Sequence, residues 1–152
     1  MTYPCKIKEQ TAQPYLAIRT RTPAAELPVK LGESYGAIGA YLAELGGHPA
    51  GMPFVAYYNQ DMADLDVEMG IPTAEVYPDR DPIYGAEIPA GRVAQCVYTG
   101  PYSGLTAAYE QLEQYVLDQG LEPSGLAYEH YIDDPGTTPE AALRTLIVFP
   151  LK

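Results

Sequence analysis

The sequence contains no tryptophan, only two phenylalanines, two histidines and two cysteines, and nine Lys and Arg residues against twenty Asp and Glu. Each scarcity excludes something. Cys5 and Cys96 lie far apart and form no C-x-x-C spacing, so free structural thiols are expected in place of a disulfide framework or a metal pair. His48 sits in a Gly-Gly-His-Pro turn and His130 in an extended run, a poor arrangement for metal or haem ligation. No Ser-His-Asp set, phosphate-binding glycine loop or zinc spacing is present, so no metal and no cofactor are expected. The formal charge of −11, without any Lys/Arg cluster, repels phosphate backbones: direct nucleic-acid binding is disfavoured and cationic ligands are favoured. No apolar run approaches membrane-spanning length, and the polar opening MTYPCKIKEQ lacks a signal-peptide pattern. A cytoplasmic location and no membrane partner are expected.

What is present is a foldable composition: 47% hydrophobic and 19% charged over 152 residues, a length that buries one respectable core. One domain over residues 1–152 is the expectation. Tyrosine, at 14 residues, supplies nearly all the aromatic content. Its ring packs while its hydroxyl reaches a wet boundary, which accounts for most of them as core and leaves a minority to line a pocket.

An offset of 74 residues superposes the chain on itself. It places Leu31 on Leu105, Tyr35 on Tyr109, Tyr41 on Tyr115, Gly46 on Gly120, Pro49 on Pro123, Gly51 on Gly125 and Tyr57 on Tyr131. Leu31, Tyr35, Ile38, Leu42 and Leu45 recur at helical steps, as do Leu105, Tyr109, Leu112 and Val116. Gly46 and Gly120 mark the helix ends, each followed by a proline. A strand precedes each helix (Tyr15 to Thr20; Arg92 to Tyr98), and a hairpin follows, Phe54 to Tyr58 with Leu65 to Ile71, and Leu126 to Ile132 with Leu143 to Phe149. Residues 74–89 connect halves of about 3–73 and 90–152. Pro82 and Pro89 limit this connector to irregular or edge-strand structure. The expected fold is α+β: duplicated β-α-β-β units giving a pseudo-two-fold antiparallel sheet with two helices. Two helices cover only one face, so a ligand cleft is expected between the halves.

Residues 100–112 read GPY-x-x-L-x-x-A-Y-x-x-L, residues 128–135 Y-E-x-Y-x-x-D-P, and residues 65–72 LDVEMGIP. The first two, in that order, resemble the GyrI-like family, the effector-binding domains of AraC- and MerR-type multidrug-responsive regulators and their standalone relatives, and the third resembles that family's first-half hairpin. The likeness covers nearly the whole chain. It implies a cleft that binds hydrophobic, often cationic, compounds against a central glutamate, and that glutamate maps onto Glu129. About fifteen residues precede the first expected strand, too few for a helix-turn-helix, so a standalone member is expected.

Strand alternation sends Ala127, Glu129, Tyr131 and Asp133 one way and Leu126, Tyr128, His130 and Ile132 the other; the first set suits the cleft and the second the helix side. Glu129 is either a pocket carboxylate or a solvent-facing strand residue, and the family motif favours the pocket. There, burial raises its pKa and a cationic ligand restores the charged form. Tyr131, two residues away, and Tyr57, its repeat mate, are candidate aromatic walls, with core packing the alternative for each. Ala127 shares the Glu129 face and Val55 is the repeat mate of Glu129, so both are expected to line the site. Glu68, on the polar parity of its strand, is either a second carboxylate or part of a solvated face.

Three functions follow. The leading one is capture of hydrophobic, cationic small molecules by a sequestering or sensing module. The alternative, implied by similar GyrI-like proteins, is hydrolysis of reactive cyclopropane-bearing electrophiles with Glu129 as general base. The third is inhibition of DNA gyrase, for which an acidic surface mimicking DNA is the only physical argument.

Overall fold

Lys6, Ile7 and Lys8 alternate polar, apolar and polar, and they lie in the strand that this alternation permits, β1 (Cys5–Gln10). The computed structural model describes residues 3–152. After β1 come β2 (Gln13–Thr22), α1 (Leu27–Glu44), β3 (Phe54–Tyr57), β4 (Leu65–Pro72), β5 (Tyr84–Ile88), β6 (Gly91–Thr99), α2 (Leu105–Asp118), β7 (Ala127–Tyr131) and β8 (Arg144–Pro150). The strand-helix-hairpin order occurs twice, as β2-α1-β3-β4 and β6-α2-β7-β8, in an α+β fold.

Two compact units result. One is Thr11–Ala90, and the other joins the segment ending at Gln10 to Gly91–Lys152. Within the first the strand order is β3-β4-β2-β5, and within the second β1-β6-β8-β7, every pairing antiparallel. Each unit therefore gains an edge strand that the repeat did not include. β5 lies between Pro82 and Pro89, as the prolines require, and pairs with β2. β1 pairs with β6, its alternating lysines suiting an edge exposed to solvent. Composition concealed this strand, because MTYPCKIKEQ has a single strongly apolar residue inside the paired stretch.

The helices start and stop alike. Pro23 and Pro101 each lead into a short 3-10 turn, Ala24–Glu26 and Tyr102–Gly104, and Pro28 stands in the first turn of α1, where its missing N–H costs nothing. Gly46 and Gly120 both adopt φ 73°, the left-handed cap that a side chain would strain. Ala50 N–H donates to the Pro72 carbonyl and Ser124 N–H to that of Pro150, both at 2.8 Å, so even the loops repeat. Under α1 pack Leu16, Ile38, Tyr41, Leu42 and Ile71; under α2 pack Cys96, Ala108, Leu112, Val116 and Ile147. No helix among the described residues is long and apolar enough to cross a membrane.

Candidate functional site

The position of Glu129 follows from register. Cys96 lies opposite Ile147, and Ile147 opposite Glu129, so all three side chains share one face of the sheet. Cys96 and Ile147 belong to the core under α2. Glu129 is therefore on the helix-covered face, and Ala127, two residues back, packs against the same core. The expectation that this parity faces away from the helix is reversed. Tyr128 and Glu129 are both buried, so β7 lacks the clean polar and apolar alternation from which a face can be read.

Glu129 is 6% exposed. Tyr109, projecting from α2, donates its hydroxyl proton to Oε2 at 2.5 Å, and Tyr131 donates to Oε1 at 3.1 Å. Burial raises the carboxyl pKa above its usual value, and the two phenolic hydrogen bonds oppose that rise without cancelling it. No basic side chain among the described residues contributes to the balance. Tyr102, in the turn that starts α2, sets its ring edge-on to Tyr131 at 5.7 Å between centroids and is 38% exposed, giving the cluster an aromatic margin open to solvent. Burial and the nearby Glu129 charge hold the Tyr102 phenol above its usual pKa. That turn is fixed by Tyr98, whose hydroxyl donates to the Pro101 carbonyl at 2.6 Å over the space left by Gly104. Opposite Tyr131 on β8 stands Thr145, fully buried, with no hydrogen-bond partner for its Oγ1 among the described residues. An orphaned buried hydroxyl is a cost that a bound group with a polar atom can relieve.

The other unit holds a second buried carboxylate. Glu68 on β4 is 3% exposed and lies opposite Arg19 and Ala56. It occupies the strand parity opposite Ile71, and so faces away from α1. Tyr15 donates to its Oε2 at 2.9 Å, Tyr58 to its Oε1 at 3.1 Å, and Tyr84 also to Oε2. Burial, reinforced by the Glu68 charge, pushes the Tyr58 phenol up to about 12, and Tyr15 and Tyr84 are raised further. Arg19 lies 3.8 Å from the centroid of the Tyr58 ring while pairing with Asp66 at 2.9 Å. The solvated-face alternative for Glu68 does not hold.

Register places the remaining candidates within their own units. Val55 lies opposite Met69 and Tyr57 opposite Val67, which places both on the α1 side of their sheet. Val55 is fully buried there and Tyr57 partly so. His130 pairs with Leu146, on the face opposite Glu129, and burial pushes its imidazole down to about 4. No group of three or more His, Cys, Asp or Glu side chains among the described residues is arranged to hold a metal ion. Sequence reading missed Tyr102 and Tyr109, although both stand inside the GPY-x-x-L-x-x-A-Y motif; Tyr109 was absorbed into the helical apolar phase. Tyr15, Tyr58 and Tyr84 carried no signal beyond the abundance of tyrosine.

The GyrI-like small molecule binding domain family matches residues 3–152. No curated protein matches. Among solved structures, the chain is similar to EcmrR in a cryo-EM complex with DNA, at 25% identity and TM-score 0.85, covering 99% of this chain and 57% of that one. The chain thus spans little more than half of that relative's length. It also shares its fold with a protein solved bound to tetraphenylphosphonium (12% identity, TM-score 0.69, 100% of this chain and 94% of that chain). A third match is a hydrolase from Listeria innocua (14% identity, TM-score 0.72, 97% and 91%).

Proposed function

Because the chain belongs to the GyrI-like small molecule binding domain family, we propose that its ligands are lipophilic cations captured against Glu129. The observation that carries this reading is a deeply buried carboxyl whose hydrogen-bond donors, Tyr109 and Tyr131, are both neutral. Its ionised form lacks a compensating charge, and a cation with apolar substituents supplies one while replacing lost hydration. Tyr102 and Tyr131 add ring faces, each contributing about 0.5–2 kcal/mol to a delocalised cation with little demand on its shape. The result is a capture or sensing module of broad specificity. Tetraphenylphosphonium, bound to a protein of the same fold, is such a cation and serves as the probe.

Calorimetric titration with tetraphenylphosphonium and with neutral triphenylphosphine oxide tests the charge requirement. The cation should bind more tightly, and Glu129→Gln should remove most of that preference. Equal affinities, or a preference that survives the substitution, would discard the mechanism.

One observation favours a second reading: Glu129 combines a raised carboxyl pKa with the Tyr109 hydroxyl at 2.5 Å, a pairing suited to a general base assisted by a phenol. In that reading Glu129 activates water against a cyclopropane-bearing electrophile. Product formation, abolished in Glu129→Gln, supports hydrolysis; saturable binding without product supports capture alone.

A further inference from the structure

Cys5 and Cys96 are free thiols, as their spacing leads one to expect, and they are direct cross-strand partners on β1 and β6. The flanking hydrogen bond runs from Val97 N–H to the Pro4 carbonyl at 3.4 Å. Bonded and non-bonded pairs alternate along an antiparallel ladder, so Cys5 and Cys96 form a non-hydrogen-bonded pair. In such pairs the Cα atoms come within roughly 4.5 Å and the side chains are closest, inside the range that a disulfide spans without backbone movement. Each thiol is held by a weak bond to a main-chain carbonyl, Cys5 donating to Tyr3 at 3.4 Å and Cys96 to Ala108 at 4.0 Å, so neither is tied up by a strong partner.

Their surroundings divide the roles. Cys96 is buried under α2 in the core with Ala108 and Leu112, and burial pushes its thiol up to about 12. Cys5 is partly exposed, and burial raises its thiol as well. Cys5 also borders a cavity of about 340 Å³ lined with Tyr3, Gln111, Gln114, Tyr115 and Asp118. Tyr3 N–H donates to the Gln111 side chain at 3.0 Å, holding the entry to β1 against α2. A small reagent therefore has a route to Cys5, and the sulfur behind it is the one within reach for a second displacement.

We infer that Cys5 and Cys96 form a reversible dithiol–disulfide clasp, closed by exchange with low-molecular-weight disulfides and opened by the corresponding thiols, both admitted through this cavity. The Cys5 thiolate attacks one sulfur of RSSR, forming the mixed disulfide Cys5–S–SR and releasing RS⁻, which takes up the proton lost by Cys5. The Cys96 thiolate then attacks the Cys5 sulfur, forming the protein disulfide and expelling the second RS⁻, which is protonated in turn. Two protein thiols are oxidised and one external disulfide is reduced to two RSH. The bond would close a loop containing the whole unit Thr11–Ala90 and lock β1 onto β6.

Incubation of the full chain with 2-hydroxyethyl disulfide at mildly alkaline pH, followed by intact-mass analysis and thiol titration, is the test. The expected product is a monomer lighter by two hydrogens, with no free thiol, melting about 10 °C higher and restored by dithiothreitol. In Cys96→Ser a persistent mixed disulfide on Cys5 is expected, and in Cys5→Ser no adduct. A stable adduct on the unsubstituted chain, a disulfide-linked dimer, or two thiols that react only on unfolding would each overturn the inference; the mass of the unsubstituted chain decides even if a serine variant fails to fold.

Discussion

Tyr109 on α2 and Glu129 on β7 are joined by a hydrogen bond of 2.5 Å, where the repeat mate of Tyr109, Tyr35 on α1, instead donates to the main-chain carbonyl of Phe54 at 2.7 Å. One helical tyrosine thus serves two ends. In the unit Thr11–Ala90 it fixes a strand, with Val55 filling the core at the equivalent place; in the other unit it holds a carboxylate. For affinity, the direct consequence is that Glu129→Gln, which keeps shape and removes charge, should weaken tetraphenylphosphonium binding by at least roughly tenfold while leaving triphenylphosphine oxide within about twofold. Isothermal titration reads both.

The pH dependence has a defined sign. The folded carboxyl pKa lies above the usual value of 4.5, so the empty protein should lose stability as pH rises from that value through the raised one. Cation affinity should move oppositely, falling on acidification as Glu129 takes up a proton. In Glu129→Gln both trends should flatten, and the melting temperature near neutral pH should exceed that of the unsubstituted protein by a few degrees. Thermal melts and titrations across a pH series check this.

The two phenols hold the carboxyl pKa down, so deleting either hydroxyl should let it rise. Tyr109→Phe and Tyr131→Phe should each shift the midpoint of the affinity–pH profile upward, and the double variant further. A midpoint that stays in place would show that the hydrogen bonds do not govern ionisation.

Glu68 accepts hydrogen bonds from Tyr15, Tyr58 and Tyr84, and Tyr15 is itself buried. Glu68→Ala would leave these hydroxyls without their acceptor and should cost about 2–3 kcal/mol in urea unfolding, with Glu68→Gln costing less. The same cage is sensitive to packing beside it. A Cβ on Gly70 would stand 2.5 Å from Cζ of the fully buried Phe54, whose ring meets Tyr15 edge-on at 5.2 Å.

Gly70→Ala should therefore destabilise by about 1–3 kcal/mol and disturb the Tyr15–Glu68 contact. Urea unfolding gives the first quantity and tyrosine absorbance against pH the second.

Sequence periodicity made both helices, both hairpins and their duplication legible, because amphipathic spacing at Ile38 and Leu42, or at Leu112 and Val116, reflects burial on one side only. It failed where burial is two-sided. β4 is buried at all but one position and β7 at the adjacent Tyr128 and Glu129, which point to opposite faces, so alternation could not say which face Glu129 occupies. β1 escaped for the opposite reason, being an edge strand with little to bury. The tyrosines around Glu129 and Glu68 come from several elements each, and nothing local in the chain records which rings will converge on one carboxylate.

The pairing of β1 with β6 also sets an order of assembly. Residues 11–90 form an uninterrupted stretch whose unit has all its strands as soon as β5 has been synthesised. β1, made before any of them, has no neighbour until β6 emerges more than eighty residues later. β1 therefore waits through the folding of the intervening unit, and its pairing with β6 is a slow, long-range closure.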